Sequence, residues 1–413
     1  MYKLLLESEA LKMIPLPEYR RELYHQLPWD NSCTAVLGPR GVGKTTLLLQ
    51  RLQELALPVE EAMYADLGDL YFAENRLYDF ARSYADQGGK YLFLDEVHRY
   101  PFGSWATELK LIYDRLRTKL TVVFTGSSVL KILNEQADLS RRVLSYRLAG
   151  LSFREYLLLR HEITLPPITL SLLLEKRQDY LALHAAEIAR ITTRQFEEYL
   201  VAGYYPYFLE SALGYINRVN SSIQLVLQSD IPHPPEGLAA NVGKLTRLLA
   251  AIADSAPFKP NLSKLAERIG MSRNNLLDYL TALERANLIT LIRAEARGVA
   301  ALGKPDKIFL DNTNLIYALS PQRTEIGTVR ETFFLNQLRQ LTFRPELVPP
   351  VIMLPKDGDF IWSYQDRRTV FEVGGPNKKA KQLRNEAASY LVIDQLQTAT
   401  AKRIPLWMFG LLY

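Results

Sequence analysis

Four short apolar runs punctuate the first third of the chain, each bounded by polar or glycine-containing segments: Cys33-Thr34-Ala35-Val36-Leu37, Tyr64-Ala65-Asp66-Leu67, Tyr91-Leu92-Phe93-Leu94 and Thr121-Val122-Val123-Phe124. Runs this short and this continuous read as strands buried on both faces. Between them, Thr45 to Leu55 and Trp105 to Thr118 carry apolar residues near helical spacing. Strand and helix in alternation predict an α/β domain with a parallel sheet and helices on both its faces. From residue 151 to about 215 the pattern becomes helical throughout, rich in Leu, Glu, Tyr and Arg. Further on, Val242 to Leu291 spells a winged helix-turn-helix: a helix to Asp254, a second from Leu262 to Ile269, Gly270 at the turn, and a third starting at Ser272. Leu288 to Arg293 and Lys307 to Asp311 would form its wing hairpin. The closing segment, Ile404 to Tyr413, is apolar enough to predict a final buried strand.

A chain of 413 residues exceeds what one hydrophobic core serves, so several domains are expected. The divisions that fit the pattern are 1–150, 151–215, 216–320 and 321–413. With 48% hydrophobic and 23% charged residues the composition is that of an ordinary globular protein. No stretch approaches the length of a membrane span, and the apolar run at Leu4-Leu5-Leu6 is too short for a secretory signal. Cys33 is the one cysteine, which excludes an internal disulfide and a cysteine-cluster zinc site and makes a reducing cytoplasm the default location. The net charge of +5 is unevenly placed: residues 1–212 hold 25 Lys+Arg against 27 Asp+Glu, and residues 213–413 hold 25 against 18. The C-terminal half is therefore the basic one, either as a solvated surface or as a face for a polyanion.

Gly38-Pro39-Arg40-Gly41-Val42-Gly43-Lys44-Thr45 matches the phosphate-binding loop GxxxxGK[ST] at every fixed position, between a strand and a helix. The glycines let the backbone wrap around a phosphate chain so that successive N–H groups and the helix N-terminus face the anion. Gly38 through Thr46 are thus the candidate nucleotide-binding residues, with ATP as ligand. Lys44 would reach the β- and γ-phosphates and Thr45 would hold Mg²⁺. The run Tyr91–Leu94 ends in Asp95-Glu96, the acidic pair that completes such a site. Asp95 would coordinate Mg²⁺ through water and Glu96 would orient or deprotonate the attacking water. The fourth run leads into Thr125-Gly126-Ser127-Ser128, at the strand end where open α/β sheets bind ligands. Ser127 or Thr125 could hydrogen-bond the γ-phosphate, and Ser127 or Ser128 could equally cap a following helix.

In the winged-helix segment, Leu276, Leu280 and Leu283 share one face of the third helix and leave Arg273, Asn274 and Asn275 outward near its N-terminus. That is where a DNA-reading helix carries base contacts. Arg297, Lys304 and Lys307 lie in or beside the wing. Winged helices also serve as protein contacts, so double-stranded DNA and a protein are both candidate partners.

The loop Gly38 to Thr45, Leu94-Asp95-Glu96, Thr125 to Ser128, and Arg141-Arg142 leading into Leu151-Ser152-Phe153-Arg154-Glu155-Tyr156 together resemble one widespread group of bacterial and archaeal AAA-like ATPases. In that group Gly-Arg precedes the LSFxEYL segment; here Ser140-Arg141-Arg142 stands in its place. The resemblance makes Arg142, or Arg141, the candidate arginine finger, donated in trans within a homo-oligomer. Tyr199 to Pro206 is similar to the group's YLxxGGxP segment, which implies a helical lid closing over the nucleotide domain, with Tyr204 replacing the second glycine. The last 90 or so residues resemble the C-terminal domain of unknown function that accompanies these ATPases, whose core is similar to PD-(D/E)xK nucleases. The matching residues are Glu331, Asp359 and Glu372. Asp359 and Glu372 are candidate ligands of a second metal, but Gly374 occupies the catalytic lysine position, which leaves Lys378, Lys379 or Lys381 to supply the cation.

These readings converge on an ATP-hydrolysing switch, with Lys44, Glu96, Ser127 and Arg142 as catalytic candidates, that binds DNA or a protein through its C-terminal half. Two alternatives stand beside it: an ATP-regulated, metal-dependent DNA nuclease, and a protein-recruiting regulator without nucleic-acid contact.

Overall fold

The computed structural model describes residues 1–126, 139, 141–211, 213–231, 238–254, 261–295, 305–322, 324–343, 349–365, 367–379, 388–396 and 399–413. They form two compact units, Met1–Ala149 and Gly150–Tyr413. Among the described residues no helix is long and apolar enough to cross a membrane.

The first unit is built on five strands, β1 (Cys33–Leu37), β2 (Ala62–Asp66), β3 (Tyr91–Asp95), β4 (Thr121–Gly126) and β5 (Leu144–Arg147), in the order β2-β3-β4-β1-β5. Every pairing is parallel, with Ala65 opposite Leu94, Leu94 opposite Phe124, and Leu37 opposite Gly126. The helices α1 (Tyr2–Lys12) and α2 (Glu22–Gln26) precede β1; parallel strands need crossovers, and α3 (Lys44–Leu55), α4 (Leu77–Asp86) and α5 (Trp105–Leu116) supply them. Continuous burial of β1 explains why its sequence does not alternate: both faces are covered, leaving Ala35 and Val36 inaccessible. Strand β2 lies at the edge of the sheet, and helix α1 (Tyr2–Lys12) covers it. The buried Ser8 of α1 accepts a hydrogen bond from the Tyr64 backbone N–H at 2.9 Å, so an edge donor that would otherwise be open is satisfied. Strand β5 was not foreseen, because Leu-Ser-Tyr-Arg has neither a continuous apolar run nor a long alternation.

In the second unit, the helices Phe153–His161 and Thr193–Ala202 each open with a full capping box, Ser152 with Glu155 and Thr192 with Gln195. The helical stretch that starts at Phe153 packs onto the C-terminal end of the chain. Arg154 Nε donates to the Tyr413 carbonyl at 3.1 Å, and Gln178 donates to the Ala399 carbonyl at 2.9 Å. Next come the helices Leu238–Ala253, Leu262–Ile269 and Arg273–Arg285, with Gly270 left-handed at the turn (φ 73°) and Ser272 capping the third helix. Strands β6 (Ile289–Ile292) and β7 (Lys307–Leu310) pair antiparallel. After the helix Ile326–Gln340 comes a mixed sheet of β8 (Val351–Met353), β9 (Phe360–Tyr364), β10 (Arg367–Gly374), β11 (Ser389–Ile393) and β12 (Arg403–Pro405), in the order β12-β11-β10-β9-β8.

The C-terminus corrects the expectation of a long closing strand. Only Arg403–Pro405 pairs in the sheet, and Leu406–Leu411 turn into a 3₁₀ helix. Pro405 has no N–H to continue the ladder. Gly410 packs so closely on Phe153 that a β-carbon there would stand 2.5 Å from the phenylalanine Cβ.

Candidate functional site

The loop between β1 and α3 owes its shape to its glycines. Gly41 (φ 78°) and Gly43 (φ 97°) are left-handed, and nothing lies within 4 Å of where a Gly43 β-carbon would be. Gly38 has the opposite constraint: a β-carbon there would sit 2.1 Å from the Leu148 carbonyl oxygen. Arg21, buried, braces the loop from outside, donating to the Val42 carbonyl and to the Ala149 carbonyl, both at 2.9 Å. Lys44 turns its ammonium back across its own loop, to the carbonyls of Gly38 (3.1 Å) and Pro39 (2.9 Å). Those carbonyls satisfy a charge that is only 5% exposed.

Asp95 is the hub of the site and is buried at the end of β3. Its Oδ2 accepts from the Thr45 hydroxyl at 2.6 Å and from the Tyr64 hydroxyl at 2.8 Å. Its Oδ1 accepts from the Thr125 hydroxyl and from the Glu96 backbone N–H at 3.1 Å. Burial first, then the Asp95 charge, push the Tyr64 phenol far above its ordinary range, so it stays protonated and donates. Thr45, on the first turn of α3, and Asp95, at the end of β3, both expected beside Mg²⁺, thus touch across fifty positions of sequence.

Glu96 follows in the left-handed region (φ 51°), uncommon for a residue with a side chain. Its Oε2 lies 3.3 Å from His98 Nε2 and 3.7 Å from the Arg40 guanidinium, and Arg40 and His98 are 3.5 Å apart. A loop residue thus touches the candidate base directly. The second arginine candidate is engaged differently: Arg142 makes a two-point ion pair with Asp114, at 2.7 and 3.1 Å, while Arg141 is exposed. Ser127 and Ser128 lie outside the described residues, and Thr125 is the hydroxyl of that segment seen at the acidic pair.

The donor set suits Mg²⁺ with a nucleotide. Thr45 and Asp95 present oxygen only, the preference of a hard cation, beside a glycine loop at the N-terminus of a 12-residue helix.

The second unit holds the remaining candidates. Arg273, Asn274 and Asn275 are exposed on the first turn of their helix, and Leu276, Leu280 and Leu283 are buried beneath. Lys307, expected beside an open wing, is instead buried on β7 and ion-paired to Glu331 at 2.5 Å, because its neighbours Ile308 and Phe309 draw the strand into the core. Arg297, Lys304 and Lys381 lie outside the described residues. Asp359 Oδ2 accepts the Val373 N–H at 2.8 Å, and Glu372 pairs with Lys378 at 3.0 Å. The Lys378 stem crosses Gly374 so closely that a β-carbon there would come within 2.7 Å of it. Burial works to lower the Lys378 ammonium, but the Glu372 hydrogen bond and the Asp359 and Glu331 charges outweigh it and hold it above its ordinary value. Burial raises the Glu331 carboxyl, with Lys307 opposing. Among the described residues no three His, Cys, Asp or Glu side chains are grouped to hold a metal ion.

Sequence reasoning missed Arg21, Tyr64 and His98. His98 sits two residues from Glu96 and could have been flagged by that spacing; Arg21 and Tyr64 reach the site only through the fold.

Comparison with known proteins divides the chain in the same region. Residues 30–157 match a family model described as an AAA domain, and residues 193–325 match one described as a domain of unknown function. The first stretch is thus an AAA-like P-loop domain. An uncharacterized protein of Methanocaldococcus jannaschii is 27% identical over 263 residues, which is 61% of this chain and 54% of that one. The match spans about half the length of that relative. Among solved structures, the Thermotoga maritima RuvB Holliday junction branch migration motor is 16% identical, with 73% of this chain and 89% of that one covered and a TM-score of 0.27. AMPPCP-bound DnaA from Aquifex aeolicus is 13% identical, with 68% and 87% covered and a TM-score of 0.28.

Proposed function

We propose that this protein binds ATP with Mg²⁺ in the Gly38–Thr46 loop, hydrolyses it to ADP and phosphate, and uses the cycle to switch a binding activity of its second unit. The observation that carries the reading is the contact of Thr45 with Asp95 where the glycine loop passes into α3. Lys44 would exchange the Gly38 and Pro39 carbonyls for phosphate oxygens. Mg²⁺, when bound, would neutralise charge on the β- and γ-phosphate oxygens. Glu96 would accept a proton from the water attacking in line, once Arg40 turns from it toward the phosphates. The hydroxyl of Ser127 would contact the γ-phosphate side, with that of Thr125 remaining on Asp95. We assign the arginine finger to Arg141, because Arg142 is committed to Asp114; it would act in trans within a homo-oligomer.

For the second unit the partner favoured is double-stranded DNA. The support is the exposed Arg273-Asn274-Asn275 turn over a buried leucine face in a helix–turn–helix followed by a hairpin, in the basic half of the chain. Within that unit we read residues 151–215 as the lid, 216–320 as a winged helix, and 321–413 as a nuclease-like fold used for binding. Lys378 sits on Glu372, a candidate metal ligand, which favours binding over cleavage. DNA nicking with Mg²⁺ or Mn²⁺ that disappears in Asp359→Ala would reverse that last point. The catalytic reading is tested by phosphate release from wild type and Lys44→Ala: release above the variant supports it, and equal rates end it.

A further inference from the structure

The end of strand β3 is flanked in the sheet by β2 and β4, and each neighbour sends one buried hydroxyl to the same carboxylate. Leu94 pairs with Phe124, which sets Thr125 beside Asp95. On the other side Asp66 pairs with Asp95, and Tyr64, two residues earlier on the same face, reaches forward along the strand. The result is one hydroxyl on each oxygen, Thr125 on Oδ1 and Tyr64 on Oδ2. Thr45 also bonds Oδ2, but it stands exposed on the first turn of α3 and is itself a ligand in the proposed site. It is therefore free to turn when nucleotide and metal arrive. Thr125 is wholly buried and Tyr64 is 9% exposed, so both hydroxyls meet Asp95 in the interior of the unit.

We infer that Tyr64 is a positioning residue for the metal, clamping the Asp95 carboxylate from β2 while Thr125 clamps it from β4. This rests on the nucleotide-binding reading above. A carboxylate with one fixed donor per oxygen has its plane set before the cation enters, and hydrogen-bond partners of metal-binding groups tune affinity by about 10- to 100-fold. The mere alternative is that a buried phenol needed an acceptor and Asp95 was near. That alternative gives Tyr64 a role in stability but none in the response to metal.

The test uses Tyr64→Phe in the full chain, which keeps the ring and removes the hydroxyl. Binding of a fluorescent ATP analogue is measured first in EDTA and then along a Mn²⁺ titration, with bound Mn²⁺ read separately by electron paramagnetic resonance. The expected result is unchanged analogue affinity in EDTA and a Mn²⁺ midpoint raised by about tenfold. Thr125→Val, which removes the other hydroxyl at nearly constant shape, is expected to shift the midpoint the same way. A Tyr64→Phe midpoint within about twofold of wild type, or a shift confined to Thr125→Val, overturns the role of Tyr64. A wild-type protein that binds no nucleotide, or binds it indifferently to Mn²⁺, overturns the nucleotide reading itself and this inference with it.

Discussion

Replacing Glu96 by glutamine removes one negative charge and keeps the shape of the side chain, so its two consequences can be sized separately. The structural loss is the attraction to Arg40 at 3.7 Å and to His98 at 3.3 Å. The Arg40 pair is loose and both side chains have some exposure, 22% and 17%, so its contribution to stability is about 1 kcal/mol or less. The catalytic loss is that of a general base, worth about a hundred- to ten-thousandfold in rate, or ~3–5 kcal/mol of barrier. The second effect exceeds the first several times over. Glu96→Gln should therefore fold normally and bind the fluorescent ATP analogue with wild-type affinity, while phosphate release at saturating Mg²⁺ and ATP falls by at least about a hundredfold. The assay is single-turnover phosphate release beside analogue binding on the same preparation. Equal release rates would remove Glu96 from the chemistry, and lost binding would make its role structural.

Two further outcomes follow from the second unit. Asn314 is fully buried, accepting from the Tyr204 N–H at 2.8 Å and the Tyr215 hydroxyl at 2.5 Å and donating to the Leu200 carbonyl at 2.8 Å. Asn314→Ala removes the acceptor of two buried donors, the Tyr204 N–H and the Tyr215 hydroxyl, while the Leu200 carbonyl keeps the Thr313 hydroxyl; at about 1–3 kcal/mol per donor, urea unfolding should show a loss of roughly 2–6 kcal/mol, and a loss under about 1 kcal/mol would contradict the count. Burial holds the His161 imidazole below its ordinary value of 6.5, with Arg160 adding to this and Glu198 opposing. The unfolded chain takes up that proton near 6.5 and the folded chain only at lower pH, so stability should fall as pH drops from 6.5 through the folded value. His161→Asn should flatten the fall of melting temperature over that range, and an unchanged slope would rule the residue out as its source.

How much of this was legible in the sequence differs from one residue to the next. The loop Gly38–Thr45 and the pair Asp95-Glu96 were readable because their chemistry demands a local spacing behind a buried strand. Tyr64 was not, since its reach to Asp95 depends on β2 lying beside β3, which no local pattern encodes. The second unit shows the same division. The caps and leucine spacing around Ser272 marked that helix, with Ser272 accepting from the Asn275 N–H at 3.2 Å. The folding of Lys378 back across Gly374 onto Glu372 depends on the path of residues 375–378, and sequence left Lys378, Lys379 and Lys381 equivalent. Arg142 was ambiguous for a related reason: its partner Asp114 is 28 residues away, on helix α5.

The central claim is that nucleotide turnover in the first unit and binding by the second are coupled. The measurement that meets it most directly is phosphate release from Mg²⁺ and ATP by the wild-type chain, with and without double-stranded DNA, across a salt titration. The account predicts release that DNA stimulates at low salt, with the stimulation fading as salt displaces the duplex. Release that double-stranded DNA leaves unchanged at every salt concentration would contradict it.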